Sequence, residues 1–389
     1  MKRYVLVFML YLTGYVSSGF LMEGLVVIFR QSGVGLEKVG LLYFTIIFWA
    51  FRGLWAPFVD KIVSKTGLYK SFIIKIQALM ILTLIVVSFL DVNKHLVILI
   101  LLAAIMGFLS ATNDIGSGAL IHKIFKTNEL SLANSFKASG NLIGHILGSG
   151  VTLIIYDKFG LQISSMFLIS LVLIAMLYMA LFKEEKSTIN LDKKLDFKSM
   201  FIFIKDEKIW ISVMILGAFG ICMSYGLLTP ILVDSGWGLS DIGSVVHIYG
   251  TLFAIITSFL VSFIIKKLKL INALLLMMIL MSIVILTMLL PIQTSKFIVI
   301  LIVSLMIGFY VSNGVVLNTI MMSKANRVNP ASQIAIQSSI SMLFQFISFY
   351  LGMLIASFLG YKFVIVLSSG LCLVTFVYIN LVKDKLGLI

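Results

Sequence analysis

Charge is what this chain has least of: only 12% of its 389 residues are Asp, Glu, Lys or Arg, against 60% hydrophobic. A water-soluble domain of this size needs roughly twice that charge to cover its surface, so a soluble protein is excluded. Proline is scarce at four, which leaves long helices uninterrupted. The two cysteines, Cys222 and Cys372, both fall in apolar runs. They are expected to lie far apart in the fold as small core residues. Two thiols make neither a disulfide framework nor a metal site. Four histidines give no His-rich metal cluster. A Gly-Lys-Ser/Thr phosphate loop is missing, and so is a Ser/His pair with a plausible acid, which argues against a membrane enzyme. No cofactor is expected.

What the chain has is apolar length. Mean hydropathy is +1.13, with thirty phenylalanines and twenty methionines. A hydrocarbon core about 30 Å thick needs roughly twenty apolar residues per helix. On that ruler the first half carries spans near 4–29, 37–60, 71–90, 95–121, 131–156 and 161–182. The second half carries spans near 209–233, 240–265, 270–290, 296–322, 331–358 and 361–382. The fold class expected is an all-α integral membrane protein of twelve transmembrane helices. Its first apolar run is too long for a cleavable signal peptide.

Positive charge tests that count. With both termini cytoplasmic, 23 Lys and Arg residues fall on the inner side and six on the outer: Arg30, Lys38, Lys94, Lys158, Lys296 and Lys362. Arg52 remains within a helix. Cytoplasmic loops carry such an excess, and one miscounted span would scramble the bias in half the chain. The net charge of +14 therefore reads as topology and contact with anionic lipid headgroups rather than as nucleic acid binding.

The longest polar stretch separates an N-terminal six-helix bundle, 1–182, from a C-terminal one, 209–389. The stretch itself, 183–208, reads as a cytoplasmic linker with a short surface helix around 197–204. The halves resemble each other. Gly33-Val-Gly-Leu-Glu-Lys-Val-Gly40 recurs as Gly236-Trp-Gly-Leu-Ser-Asp-Ile-Gly243, an offset of 203, and Gly107-Phe108 as Gly308-Phe309, an offset of 201. Parallel six-helix repeats with a solute site near mid-membrane are the architecture of major facilitator transporters.

Ionisable groups inside spans cost on the order of 3 kcal/mol each on insertion scales, so each needs an explanation. Arg52 and Asp114 lie at similar depth in the second and fourth spans. They are expected to pair, either as a proton-coupling switch in which protonated Asp114 releases Arg52 or as a permanent structural bond. Glu23, between Gly19 and Gly24, is a further proton-coupling candidate, or else a carboxylate reaching outer water. His145 and His247 read more readily as hydrogen-bonded core than as relays. Thr112, Asn113, Asn141, Asn313, Asn318 and Gln337 are expected to line a polar solute cavity; interhelical hydrogen bonds are the competing role. Pro230 marks a possible kink or gate in the seventh span.

Two segments carry a closer resemblance. Phe51-Arg-Gly-Leu-Trp-Ala-Pro-Phe-Val-Asp60 is similar to the basic-x-x-Trp-x-Pro-x-x-Asp segment that ends the second helix in one major facilitator branch. Ser110-Ala-Thr-Asn-Asp-Ile115 is similar to the Ala-Thr-Gln-Asp-Ile segment of its fourth helix. That branch comprises the AmpG muropeptide permeases, the RhtX/FptX siderophore permeases and the acetyl-coenzyme A transporters. The resemblance implies a conformational motif of Trp55, Pro57 and Asp60, with Asp60 contacting the following helices. It also implies proton-coupled import of a small polar solute, a siderophore or muropeptide, by a monomer in the bacterial inner membrane. The family usually has Lys where Arg52 stands, Gln where Asn113 stands and a second acid where Gly118 stands. The rival functions are a proton-antiporting exporter of the same fold and a non-transporting assembly factor.

Overall fold

The computed structural model describes residues 2–45, 47–92, 94–126, 129–186, 203–290, 295–324 and 330–387, and no strand occurs among them. The apolar runs form α1 (Lys2–Gln31), α3 (Tyr69–Ser88), α4 (Leu96–Ile124), α7 (Lys208–Asp234), α8 (Leu239–Leu268), α9 (Leu270–Thr287) and α10 (Lys296–Lys324). Two further helices, Leu132–Leu181 and Gln333–Leu386, run for 50 and 54 residues, more than twice what a bilayer requires. Each is broken at one glycine in extended, positive-φ backbone: Gly160 (φ 76°, ψ −176°) and Gly360 (φ 79°, ψ 165°). Only glycine enters that region without steric cost. The breaks divide the two runs into α5 (130–159) with α6 (161–181), and α11 (330–359) with α12 (361–382). They fall where the sequence places two span boundaries.

The second span is α2 (36–64), two helical stretches, Leu36–Leu54 and Ala56–Ser64, bent by 60°. The break sits at Trp55 (φ −109°, ψ 1°), and Pro57 lies in the first turn after it. A proline there forfeits no helical hydrogen bond, because first-turn N–H groups have no intrahelical acceptor. By length and composition alone, nine helices among the described residues can cross a membrane, or ten with the bent pair as one span. Counting each glycine-cornered run as two spans gives twelve. In α7 the chain loosens at Gly226 and Leu227 just before Pro230, which lies in the first turn of Leu228–Asp234.

The helices group into two compact units. Unit 1 comprises Met1–Ser32, Thr45–Lys194 and Gly238–His247; unit 2 comprises Gly33–Phe44, Leu195–Trp237 and Ile248–Ile389. The units follow the two sequence halves except that 33–44 and 238–247 change places. Much of the linker expected at 183–208, including most of its proposed surface helix, lies outside the described residues.

The two halves of the sequence use the same devices. Gly33 and Gly236, the first glycines of the repeated segment, share positive φ (79° and 82°). Lys123 and Lys324 stand 201 residues apart at the ends of α4 and α10. Lys123 Nζ meets Glu184 at 2.6 Å, and Lys324 Nζ meets Glu207 at 2.7 Å. Glu184 is fully buried. It also accepts the backbone N–H groups of Tyr69 (3.0 Å) and Lys70 (2.7 Å), capping α3 where the helix dipole favours an anion.

Within unit 1, Gly140, Gly144 and Gly148 lie four residues apart along one face of α5 and let it close on α1. A methyl group on them would stand 2.5, 2.7 and 2.5 Å from the carbonyl oxygens of Phe8, Leu12 and Val16. Small residues at this spacing are how membrane helices gain close van der Waals contact when lipid offers no hydrophobic driving force. In unit 2, Gly220 of α7 is pressed against Cys372 of α12: a methyl there would stand 2.9 Å from both its nitrogen and its Sγ. Cys222 lies two residues from Gly220 and its thiol is close enough to that of Cys372 to interact with it electrostatically, so the expectation that the two thiols lie far apart is overturned. Both are buried and free. Apolar residues such as Phe58, Phe263, Phe358 and Leu381 are exposed, as lipid-facing side chains are.

Candidate functional site

Unit 1 holds almost all the intramembrane charge. Arg52 opens a single 3-10 turn, Arg52–Leu54, at the bend of α2. That turn directs its guanidinium to α4, where Nη1 donates to Asp114 Oδ2 at 2.6 Å. The guanidinium also lies 5.7 Å from the ring centroid of Trp49, a cation–π distance. Next to the pair, Trp55 Nε1 donates to Thr112 Oγ1 at 3.2 Å, and Thr112 in turn donates to the Phe108 carbonyl at 2.7 Å. The Trp55 of the conformational motif thus ties α2 to α4. Asp60 accepts the Tyr69 hydroxyl at 3.1 Å, joining the second stretch of α2 to the start of α3.

Asp114 borders a small hollow together with Asn113, Asn141, Tyr11, Tyr15 and Trp49. Its free space is about 10 Å³, enough for about one water molecule. Asn113 is buried, and its Oδ1 has no protein hydrogen-bond partner; the same holds for Oδ1 of Asn141. Unmatched amide oxygens beside an ion pair make a polar pocket where a proton or water has acceptors available.

Glu23, whose side chain is 39% exposed, faces two histidines. Its Oε2 lies 2.9 Å from His145 Nε2 and 3.2 Å from His247 Nδ1, and the two imidazole centroids are 5.5 Å apart. All three residues belong to unit 1, since 238–247 packs there. Each histidine read singly resembles core; the structure brings both to one carboxylate. The signal available in the sequence was that two of four histidines stand inside spans.

Unit 2 contains the larger cavity, about 360 Å³, lined by Asn313, Asn318, Tyr310, Ser338, Ser341 and Gln345 among others. Tyr310 donates to Gln345 Oε1 at 3.1 Å and stacks on Tyr225 with ring centroids 4.0 Å apart, while Gln345 Nε2 donates to Ser341 Oγ at 3.0 Å. No charged side chain is among the lining residues. Asn313 and Asn318 are among its lining residues. Gln337 is not. It is fully buried, accepts the Trp210 indole N–H at 2.7 Å and donates to the carbonyls of Met321 and Gln333, both at 3.1 Å. Its amide is satisfied by three protein partners and acts as a tie between helices. Tyr310 and Gln345 take its place as cavity residues.

Comparison with known proteins agrees with this architecture. The sequence model of the Major Facilitator Superfamily matches residues 4–348. Curated relatives include the putative transporter AmpG 4 of Rickettsia felis, 23% identical over 248 residues (59% of each chain). Another is the anhydromuropeptide permease of Escherichia coli K12, 22% identical over 252 residues, covering 62% of this chain and 51% of the permease. The alignments thus span about half to three fifths of these relatives' own length. Among solved structures, a D-xylose-proton symporter superposes over 97% of this chain and 96% of its own with TM-score 0.73 at 11% identity. A POT family transporter in complex with 5-aminolevulinic acid covers 99% and 97% with TM-score 0.74 at 12% identity. Family match, all-helical fold and duplicated glycine-cornered units point one way: this chain belongs to the Major Facilitator Superfamily, a family of multi-pass membrane transporters.

Proposed function

We propose that this chain imports a polar solute across the inner membrane of a bacterium together with protons, with both termini cytoplasmic. The observation that carries the reading is the Arg52–Asp114 ion pair beside a hollow of unmatched amides. While Asp114 is ionised, its carboxylate holds the guanidinium of Arg52 at the bend of α2. Protonation of Asp114 removes the charge on one side of a 2.6 Å contact. Arg52 then loses its counter-ion and must find water or another acceptor. α2 and α4 are freed from their strongest mutual bond, leaving the Trp55–Thr112 contact between them. A proton taken up from outside and released inside would in this way bias the two arrangements of the bundle that alternating access requires.

The substrate class follows from the unit 2 cavity. Its lining mixes apolar side chains such as Ile221, Val311 and Met342 with amides, hydroxyls and a stacked tyrosine, and carries no formal charge among the described residues, which suits an amphipathic solute with ring faces and hydroxyl or amide groups. The sugar rings and amides of a muropeptide have this chemistry, its peptide carboxylates having to be met outside this lining, and the relative of Escherichia coli is named for such solutes. Siderophores, the other class implied by the α2 and α4 motifs, share the amide and hydroxyl character. The test is uptake of labelled anhydromuropeptides and ferric siderophores into proteoliposomes under an imposed inward proton gradient. Saturable uptake of a muropeptide that collapses when the gradient is dissipated supports the reading. Efflux driven by the opposite gradient would instead identify an exporter, and inertness of folded protein toward the whole panel would favour a non-transporting role.

A further inference from the structure

We propose that Glu23, His145 and His247 form a binding site for one divalent transition-metal ion of the kind that favours imidazole with carboxylate, Zn²⁺ and Co²⁺ foremost. The inference goes beyond the transport reading and stands without it.

The first argument is geometric. The three donor atoms lie within 4.8 Å of one another, and the two contacts to Glu23 Oε2 are 2.9 and 3.2 Å. Metal–ligand bonds of about 2.0–2.1 Å at tetrahedral or octahedral angles place neighbouring ligand atoms about 2.9–3.4 Å apart. The two separations from Glu23 already fall in that range, and closing the two imidazoles about an ion completes the set.

The second argument concerns His247. It is 3% exposed, and neither ring nitrogen has an aligned hydrogen-bond partner, although Nδ1 is close to Glu23 in distance. Buried imidazoles are ordinarily satisfied. A metal ion on Nδ1 supplies the missing partner with the directionality that the carboxylate contact lacks.

The third is the backbone. Glu23 lies in the π-helical turn Phe20–Gly24, His247 in the π-helical turn Gly243–Tyr249, and His145 immediately precedes the π-helical turn Ile146–Val151. A π turn inserts one residue into a helix, weakens its ladder and rotates the side chains that follow, so it persists where that rotation is used. Two of the three side chains, Glu23 and His247, thus lie inside such turns, and the third stands at the entrance to one. Glycines let the backbones close around it: a methyl on Gly19 would stand 2.8 Å from Ser149 Oγ, and one on Gly243 would stand 2.8 Å from the Gly150 carbonyl oxygen.

The donor set then selects the ion. Two imidazoles and one carboxylate suit Zn²⁺, Co²⁺ and Ni²⁺, whereas Mg²⁺ and Ca²⁺ demand all-oxygen shells and Cu⁺ prefers thiolates. Three protein ligands leave a position open for water or a solute group. An ion held here cross-links three residues that are 102 to 224 positions apart in sequence.

The experiment uses the untagged full chain in detergent, stripped with a chelator. Co²⁺ is titrated while its visible ligand-field bands are recorded, and Zn²⁺ binding is followed by calorimetry and by thermal melting. One equivalent should bind, with bands characteristic of nitrogen and oxygen ligands and a Zn²⁺-dependent rise in melting temperature. His145→Ala and His247→Ala should each weaken binding by at least about 100-fold and Glu23→Gln by about tenfold or more, while His95→Ala binds as wild type. The wild-type spectrum and melting shift decide the matter even if a variant fails to fold. Absence of saturable binding by folded wild-type protein overturns the proposal and leaves a proton-sharing cluster. So does binding that survives the combined His145→Ala/His247→Ala change.

Discussion

Replacing Asp114 by Asn keeps the shape of the side chain and removes its charge, so it isolates what the Arg52–Asp114 pair contributes. The contact is short, 2.6 Å, but the partners differ in burial: the Arg52 side chain is 37% exposed and that of Asp114 15%. A fully exposed pair is worth about 0–1 kcal/mol, and breaking a fully buried one costs about 3–5 kcal/mol. With one partner more than a third exposed, the coupling belongs nearer the lower class, at about 1–2 kcal/mol. A double-mutant cycle of Asp114→Asn, Arg52→Gln and the pair, read by denaturant or thermal unfolding in detergent, measures that coupling directly. Each single change should destabilise, Asp114→Asn more, because it strands a guanidinium. The double change should recover much of that loss. Stability and transport should then part company: the double variant folds nearly as well as wild type yet fails to couple uptake to protons. A coupling energy below about 0.3 kcal/mol, within the error of additive sites, would refute the idea that this pair is a mutual counter-ion.

Three further outcomes are expected. Glu184→Gln should cost about 3–5 kcal/mol of stability, since it leaves the largely buried Lys123 without its carboxylate and weakens the cap of α3; thermal melting of the purified variant checks this. Gly148→Val should prevent α5 from closing on α1, because the new side chain meets the Val16 backbone rather than a movable side chain; loss of a monodisperse size-exclusion peak is the readout, and a wild-type melting temperature would contradict it. Gln345→Ala should raise the KM for uptake with little change in stability, whereas Gln337→Leu should lower stability and leave the KM of the remaining folded protein unchanged, which separates a cavity residue from an interhelical tie.

The apolar runs were legible because length and composition alone mark them. The corners at Gly160 and Gly360 fall between expected spans, and the repeated glycines at 33 and 236 share one backbone conformation. The Arg52–Asp114 pair could be anticipated because two groups at equal depth in neighbouring helices have a shared reason to meet. What escaped depends on helix phase. Whether an amide such as Gln337 points into a cavity or at an indole is set by a rotation of a few tens of degrees, which composition does not encode. The Glu23 cluster escaped because π-helical turns shift that phase and have no sequence signature. It also escaped because His247 stands in the second half of the sequence yet packs with the first unit. The same long-range placement brought Cys222 beside Cys372.

The most direct measurement is proton movement itself. Proteoliposomes carrying an internal pH dye are given a muropeptide outside with no imposed gradient. The account predicts acidification of the lumen that begins on substrate addition, saturates with it, and is absent in Asp114→Asn protein that is folded and still binds substrate. Uptake that proceeds without acidification, or acidification undiminished in Asp114→Asn, would contradict it.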